Sequence, residues 1–404
     1  MKENFKKKVL DNGMTILFEK RDLPIVSVAF ASRVGGVNES PEEKGISHFI
    51  EHMLYKGTPT RNAKQIAEEI EKNGGEMNGF TSEEITAYWC KMPSKNLKIA
   101  LEVLGDMVMN PKFDEKELDK ERQVIFEEIK MYHDNPRLHV FDEIQKCLYD
   151  GTMGINLAGT FETMEDIDKE KMSKKFKETY SPNNLILCVV GDAKFEEIVE
   201  FAEKNFEKVK SKVPEQKFGV HNKIKVEKRK GVDQANLVFA YHIPVASDEK
   251  SYVAKVLSAL MAEGMSSRLF SEIREKRNLA YAVKGDSNIN KRFAYNFIYV
   301  GTTPGNVDVV KKLILEEFQK VSNDLEDKEL EQVKEQLVGQ YQISVEDSQS
   351  QLVNLLINEI HGDAEDFYEF EKEIKKVKLD EVKEMASKVK EGNYSFFALV
   401  PDNQ

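Results

Sequence analysis

Alternating apolar and polar residues predict a β-rich start to the chain, beginning with a hairpin. Residues 8–10 and 14–19 have strand-forming sequences, and Asp11-Asn12-Gly13 between them is a turn sequence typical of hairpins. Other short runs rich in β-branched and aromatic residues predict further strands. These runs lie at 25–33, 81–91, 185–190 and 235–242.

Apolar residues at helical spacing predict amphipathic helices between these strands. The segments with this pattern are 63–72, 96–109, 115–132, 195–209 and 251–260, and residues 264–270 begin another helix. One further helix has an extensive apolar face, which predicts that it is substantially buried. That face consists of Ile46, Phe49, Ile50, Met53 and Leu54.

The order of these elements repeats along the chain, which predicts two similar α+β domains. The chain has 404 residues, too many for one ordinary domain. Residues 210–222 are polar, contain Pro and Gly, and lack periodicity. We therefore expect domains at 1–212 and 226–404, joined by a linker at 213–225.

Composition narrows the class of protein. The formal net charge is −12, and Lys and Glu alternate on most polar faces, which argues against nucleic-acid binding. No run of about 18 apolar residues occurs, so no membrane span is expected, and the first residues resemble neither a secretory signal nor a transit peptide. The three cysteines, Cys90, Cys147 and Cys188, lie far apart. We expect them to be reduced packing residues in a cytoplasmic protein.

Candidate chemistry is concentrated in the buried helix, at His48-Phe49-Ile50-Glu51-His52. Two histidines four residues apart lie on one face of a helix, and both rings can reach one metal ion at about 2 Å. Glu51 shares that face and can act as the general base on a metal-activated water without being a ligand. The order His-x-x-Glu-His is the inverzincin signature. The alternative is an ordinary polar helix turn, which the apolar neighbours disfavour because a buried histidine pair needs a metal or a dense hydrogen-bond network.

A catalytic zinc ion usually has three protein ligands and one open position, so one more ligand is required. The best candidates lie in the predicted helix 115–132, where Glu121 and Glu128 are seven residues apart and share a face. Glu127 is rotated by about 100° from Glu128 and is expected to face elsewhere. The sequence offers no fourth side-chain ligand, which disfavours a closed structural metal site in a binding protein.

The chain resembles the pitrilysin family of zinc peptidases, most closely its branch of mitochondrial processing peptidase and the short bacterial homologues. Glu128 follows His52 by 76 residues (128 − 52) and Glu121 by 7 (128 − 121), the spacing of the acidic residues in that family. The resemblance covers the whole chain. It implies that His48, His52 and Glu128 bind zinc, that Glu51 is the base and that Glu121 supports the site. It also implies two α/β-roll domains, each a mostly antiparallel sheet packed with helices, that form half of a clamshell.

The resemblance also assigns residues that contact the substrate. Arg274 and Tyr281 match an Arg and a Tyr of the family, and both side chains can donate hydrogen bonds to the oxyanion of a peptide carbonyl. Asn78-Gly79-Phe80-Thr81 resembles the family's substrate strand, on which an extended peptide pairs through backbone hydrogen bonds. Without the resemblance, Arg274 would be assigned to a surface salt bridge and Tyr281 to packing. The segment 78–81 would be assigned to a turn.

The second half carries no matching metal ligands. We aligned residues 116–123 with 328–335, an offset of 212 (328 − 116), and Gly45 with Gly264. The residues at the positions of the five motif residues are Ser267, Phe270, Ser271, Val333 and Gln340. One zinc ion per chain is therefore expected.

We expect a zinc-dependent endopeptidase that hydrolyses peptides or unfolded segments inside a dimeric chamber. The resemblance implies a homodimer, or a heterodimer with a homologous chain, in which Arg274 and Tyr281 act at the zinc of the other chain. Two alternatives stay open. One is a processing peptidase that removes leader sequences from precursor proteins. The other is a non-catalytic subunit of such an assembly, which the complete metal set disfavours.

Overall fold

The computed structural model describes residues 2–402, which divide into two compact units. The first unit comprises the residues up to Lys130 together with Ile155–Lys217 and Ser344–Tyr368. The second comprises Met131–Gly154, Phe218–Ile343 and the residues from Glu369 onward. Each unit is a β-sheet packed with helices around its own hydrophobic core, so the fold class is α+β as predicted.

The first unit is built on a six-stranded sheet. Its strands are β1 Phe5–Val9, β2 Thr15–Lys20, β3 Ile25–Ser32, β4 Glu76–Thr81, β5 Thr86–Pro93 and β6 Leu185–Gly191. They lie in the order β1-β2-β6-β3-β5-β4, and all neighbours are antiparallel except β2 and β6. The predicted hairpin is confirmed. The strand predicted at 81–91 is confirmed from Thr86 onward but begins too early, because a turn in which the Ser82 N–H donates to the Ile85 carbonyl separates β4 from β5.

The second unit repeats this topology. Its strands are β7 Ile224–Arg229, β8 Ala235–His242, β9 Ala280–Ile289, β10 Ala294–Thr302 and β11 Ser395–Pro401. Their order is β7-β11-β8-β10-β9, in which β7 and β11 are parallel and the other neighbours antiparallel. This order matches β2-β6-β3-β5-β4 of the first sheet, strand for strand along the chain. The repeat predicted from sequence is therefore present in the fold.

Helices flank both sheets. In the first half of the chain they are α1 Ile46–Leu54, α2 Ala63–Glu71, α3 Leu97–Met109, α4 Glu115–Asp134, α5 Pro136–Leu148, α6 Phe161–Asp166, α7 Lys169–Thr179 and α8 Phe195–Asn205. In the second half they are α9 Lys250–Ala262, α10 Val307–Asp324, α11 Asp327–Ser344, α12 Ser348–His361, α13 Phe370–Lys376 and α14 Leu379–Ser387. The helix expected to begin at 264–270 is a π-helical turn at Phe270–Glu275.

Two helices pack on the sheet formed by the other half of the sequence. α5 packs on β8 and β11, and α12 packs on β3 and β6, their counterparts in the repeat. At the start of α12, Ser348 hydrogen-bonds Ser27 of β3 at 2.9 Å. The units therefore differ from the contiguous domains expected at 1–212 and 226–404, since α5 belongs to the second unit and α12 to the first. This exchange is possible because two similar sheets offer similar apolar faces to either helix.

Two further expectations concern the chain as a whole. The cysteines at positions 90, 147 and 188 are buried and unpaired, as predicted for packing residues. Among the helices described, none combines the length and the apolar character that crossing a membrane requires.

Candidate metal centre

A buried carboxylate fixes the start of α1, the helix that carries the histidine pair. Glu39 is fully buried, and its oxygens accept the N–H groups of Gly45 at 2.9 Å and Ser47 at 2.7 Å. The first N–H groups of a helix have no partner within the helix and favour a negative charge. Gly45 has φ +96°, in the left-handed region, and a Cβ at this position would lie 2.5 Å from the Met164 methyl group. The rotation of α1 about its axis is thus set before the first histidine.

Three donor atoms from α1 and α4 come together in the first unit. The Nε2 atoms of His48 and His52 are 3.2 Å apart, and Oε2 of Glu128 lies 3.5 Å and 3.7 Å from them. Within residues 2–402 these three side chains form the one group able to hold a metal ion. In a tetrahedral zinc site with bonds of about 2.0–2.1 Å, neighbouring ligand atoms are about 3.4 Å apart. The donor set therefore fits zinc in spacing as well as in chemistry.

His48 is in the protonation state that metal binding requires. Burial lowers the pKa of His48 to about 3, and the neighbouring His52 lowers it as well. His48 is therefore neutral at pH 7, with a lone pair on Nε2. Glu121 orients the His52 ring through the nitrogen that does not face the other donors, because an oxygen of Glu121 lies 3.1 Å from His52 Nδ1. The other oxygen of Glu121 lies 2.5 Å from Lys56 Nζ.

Glu51 lies beside the donors but is not one of them. Burial raises the pKa of this carboxyl group, and Thr81 Oγ1 donates a hydrogen bond to its Oε2 at 3.0 Å. A Cβ at Gly79 would lie 3.1 Å from the other oxygen, Oε1, and 2.5 Å from the Tyr55 hydroxyl. That hydroxyl is buried and has no hydrogen-bond partner among residues 2–402. Gly79 therefore leaves room for the carboxylate.

Sequence reasoning missed Tyr55 and gave Gly79 a different role. Tyr55 follows Glu51 by four residues on the face that carries the histidines, and this spacing was the available signal. Gly79 was assigned to substrate binding alone, because its contact with α1 arises from tertiary packing.

The predicted substrate residues lie on β4, an edge strand of the first sheet. Thr81 and Gly79 adjoin Glu51, whereas Asn78 is exposed and accepts the Gly79 N–H at 2.8 Å. Phe80 is half-buried. An edge strand has a row of backbone N–H and C=O groups without strand partners, so an extended peptide can pair with it.

Arg274 and Tyr281 lie in the second unit, in the π-helical turn and at the start of β9. The guanidinium of Arg274 is 4.8 Å from the centroid of the Phe270 ring. Tyr281 is 54% exposed, and its ring lies against Gly301, where a Cβ would overlap it. Both side chains face solvent.

The second unit has no equivalent of the donor group within the described residues. α9 is the first helix after β8, as α1 is after β3, so the alignment of Gly45 with Gly264 is wrong. α9 contains no histidine, cysteine or carboxylate. α11, the counterpart of α4, carries Val333 and Gln340 at the aligned positions.

The repeated sheet-and-helix units and the His-x-x-Glu-His helix define an inverzincin-type protein, and comparisons with known proteins agree. Residues 15–160 match the family model "Insulinase (Peptidase family M16)", and residues 166–337 match "Peptidase M16 inactive domain". An uncharacterised zinc protease of Bacillus subtilis is 32% identical over 98% of each chain. An uncharacterised zinc protease of Rickettsia felis is 34% identical over 83% of each chain.

Solved structures share the fold. A protease from Helicobacter pylori superposes with a TM-score of 0.90 at 22% identity, over 98% of this chain and 99% of that one. The chain belongs to peptidase family M16, and its resemblance to the pitrilysin family is confirmed.

Proposed function

We propose that this chain is a zinc-dependent endopeptidase that hydrolyses oligopeptides or unfolded segments. One observation carries the proposal: three donor atoms converge, and a buried carboxylate lies beside them without joining them. A structural zinc site is closed by four side chains, whereas three donors leave one coordination position for solvent. The relatives are named as uncharacterised zinc proteases, and these names support the same activity.

The residues of the first unit divide the chemistry between them. A zinc ion on His48, His52 and Glu128 supplies the Lewis acid that activates water and polarises the peptide carbonyl. Glu51 accepts a proton from the attacking water and returns it to the leaving amine. Burial raises the pKa of Glu51 above its ordinary value, which favours a group that both takes and gives a proton. Thr81 holds one oxygen of Glu51, and the β4 edge aligns the extended substrate.

We also propose that the active form is a dimer of this chain, or of this chain with a homologue. Arg274 and Tyr281 of one chain then donate hydrogen bonds to the substrate at the other chain's zinc site. The exposure of both side chains and the family resemblance support this arrangement. Mixing Glu51→Gln chains with Tyr281→Phe chains tests it. Recovered activity in verified mixed dimers is expected, and an inactive mixture would show that each chain works alone.

The proposal is tested with the purified full chain and a mixed peptide library. We expect one zinc per chain, cleavage that stops on chelation, and recovery when zinc is returned. Glu51→Gln should retain zinc but lose cleavage by about 10²–10⁴-fold, because only the base is removed. Glu127→Gln is the matched control, since Glu127 is exposed and pairs with Lys130 at 2.7 Å. Zinc binding without cleavage by the unmodified chain would favour the non-catalytic alternative, and near-normal turnover by Glu51→Gln would exclude the assigned base.

A further inference from the structure

A cavity of about 560 Å³ opens on the second unit beside Tyr281. Its walls are the N-terminal end of α5, the turn between β7 and β8, and one face of β9 and β10. The polar side chains that decide its chemistry are Arg137, Asp233, Asn236, Tyr281, Lys284 and Tyr299. None of them belongs to the metal centre described above.

The cavity contains two cationic side chains that no described carboxylate neutralises. The guanidinium of Arg137 lies 5.3 Å from the centroid of the Tyr299 ring, and Lys284 stands opposite Tyr299 in the β9–β10 ladder. Within the part of the chain that the structure covers, neither forms an ion pair, and Asp233, the acidic residue of the lining, pairs with neither. The lining therefore has an excess of one positive charge in a chain whose net charge is −12.

A hydrogen bond fixes the phenol beneath Arg137. Tyr299 is buried, and its hydroxyl donates to Asn236 Oδ1 at 2.7 Å. Burial raises the pKa of Tyr299, so the phenol stays protonated. The ring under Arg137 and the hydroxyl beside it are thus preorganised for a ligand.

The N-cap of the matching helix in the first unit is a carboxylate. β5 and α12 are the counterparts of β10 and α5 in the repeat. There Lys91 of β5 lies 2.5 Å from Asp347, the N-cap of α12. The N-cap of α5 is the neutral Asn135. The second unit therefore lacks an acidic N-cap like Asp347, which neutralises Lys91 in the first unit.

We propose that this cavity binds a carboxylate of the substrate peptide, with Arg137 and Lys284 as the charged contacts. The inference rests on the proposed peptidase function and adds a substrate class, namely peptides with an acidic side chain or a free C-terminal carboxylate. Guanidinium groups bind carboxylates through two parallel N–H donors, and a lysine ammonium adds a second charge. Tyr281, proposed above to donate a hydrogen bond to the substrate, also lines the cavity. One peptide can therefore contact Tyr281 and enter the cavity.

Equilibrium binding to the zinc-loaded Glu51→Gln chain tests the proposal without turnover. Three fluorescent peptides are compared. The first is amidated at its C-terminus and has an internal Gln, the second has Glu in place of that Gln, and the third has the Gln but a free C-terminus. We expect one or both carboxylate peptides to bind about fivefold more tightly than the neutral one, with the advantage shrinking as salt rises. Adding Arg137→Gln or Lys284→Gln should remove the advantage. Adding Lys390→Gln, an equal charge change at an exposed residue outside the cavity, should preserve it.

The outcomes separate the cavity from the chemistry. A preference for the Glu peptide identifies a side-chain carboxylate as the ligand, and a preference for the free terminus identifies the main-chain one. Equal affinity for all three peptides, or equal losses in the cavity and Lys390→Gln variants, would overturn the proposal. Cleavage of the peptides by the unmodified zinc-loaded chain is scored separately. Cleavage without charge preference refutes the cavity alone, whereas charge preference without any cleavage refutes the peptidase function alone.

Discussion

The two units share one strand order but differ in the few side chains that chemistry requires. In the first unit, α1 and α4 bring two imidazoles and a carboxylate within 3.2–3.7 Å of one another. In the second, α9 lacks any metal-binding side chain and α11 carries Val333 and Gln340 at the aligned positions. The scaffold alone therefore does not determine the chemistry, which depends on residues placed on two of its helices.

A second difference concerns the charged side chains near the start of α12 in the first unit and of α5 in the second. The first unit pairs Lys91 with Asp347, whereas Arg137 and Lys284 of the second unit are not ion-paired within the described chain. Under our proposals the first unit aligns and hydrolyses the peptide, and the second binds a carboxylate of it. Each prediction below changes a residue in one unit and uses the other unit as the control, beginning with the largest expected effect.

Removing a metal donor should distinguish the units most strongly. Glu128→Ala leaves only two donors, so we expect zinc to be lost from the purified chain and hydrolysis to fall by about 10³-fold or more. Gln340→Ala changes the aligned residue of α11 and should leave both zinc content and rate unchanged. Metal analysis and peptide hydrolysis measure the two effects. Zinc loss in both variants would contradict a single metal site in the first unit.

Filling the space beside the base should reduce turnover without removing the metal. In Gly79→Ala the added methyl group meets the Tyr55 hydroxyl at 2.5 Å, the Ala87 carbonyl oxygen at 2.9 Å and Glu51 Oε1 at 3.1 Å, so the groups around the base must move. A small displacement of a catalytic group costs about 10²-fold, and we expect a loss of this size in kcat with zinc content unchanged. Gly305→Ala in the second unit meets no atom within 4 Å and serves as the control. Equal rates for both variants would refute the steric role of Gly79.

Removing the carboxylate behind His52 should weaken zinc binding. Glu121→Ala deletes the partner of His52 Nδ1, and such losses reduce metal affinity by about 10–100-fold. Val333→Ala at the aligned position of α11 should lower the free energy of unfolding but not the zinc affinity. Competition with a chelating dye measures the affinity. An unchanged affinity in Glu121→Ala would show that Glu121 does not orient the ring.

The smallest expected effect is a gain in stability. Gly339 lies inside α11, and a Cβ there meets no atom within 4 Å. Gly339→Ala should therefore raise the free energy of unfolding of the second unit by about 0.5–1 kcal/mol, because alanine loses less entropy in a helix. Slower amide hydrogen exchange in α11, with exchange in α1 unchanged, is the expected result. Faster exchange in α11 would contradict it.

Helical spacing grouped the candidate residues of the metal centre by the helix face that they share. Residues three, four and seven apart share a face of a helix, so His48, Glu51 and His52 could be assigned together, and likewise Glu121 and Glu128. The same reasoning predicted that Glu127 faces away, and its side chain is 73% exposed. These groupings needed no knowledge of how the helices pack, whereas the choice of Glu128 as a donor and Glu121 as its support came from the family resemblance.

Contacts between distant segments could not be predicted in this way. The approach of Gly79 to Tyr55 and Glu51 depends on how β4 packs on α1. The exchange of α5 and α12 depends on which of two similar sheets each helix covers, and periodicity does not distinguish them. The start of the strand predicted at 81–91 was misplaced for a local reason. Ser82-Glu83-Glu84-Ile85 forms a turn that contains neither Gly nor Pro, so no turn residue indicates it in the sequence.

X-ray absorption at the zinc edge of the zinc-loaded full chain tests the central claim most directly. The account predicts one zinc ion per chain, bound by two imidazoles, one carboxylate and a solvent oxygen at about 2.0–2.2 Å. One imidazole contribution should disappear in His48→Ala. A chain that binds no zinc when it is supplied, or a zinc ion with a sulfur ligand or a third imidazole, would contradict the account.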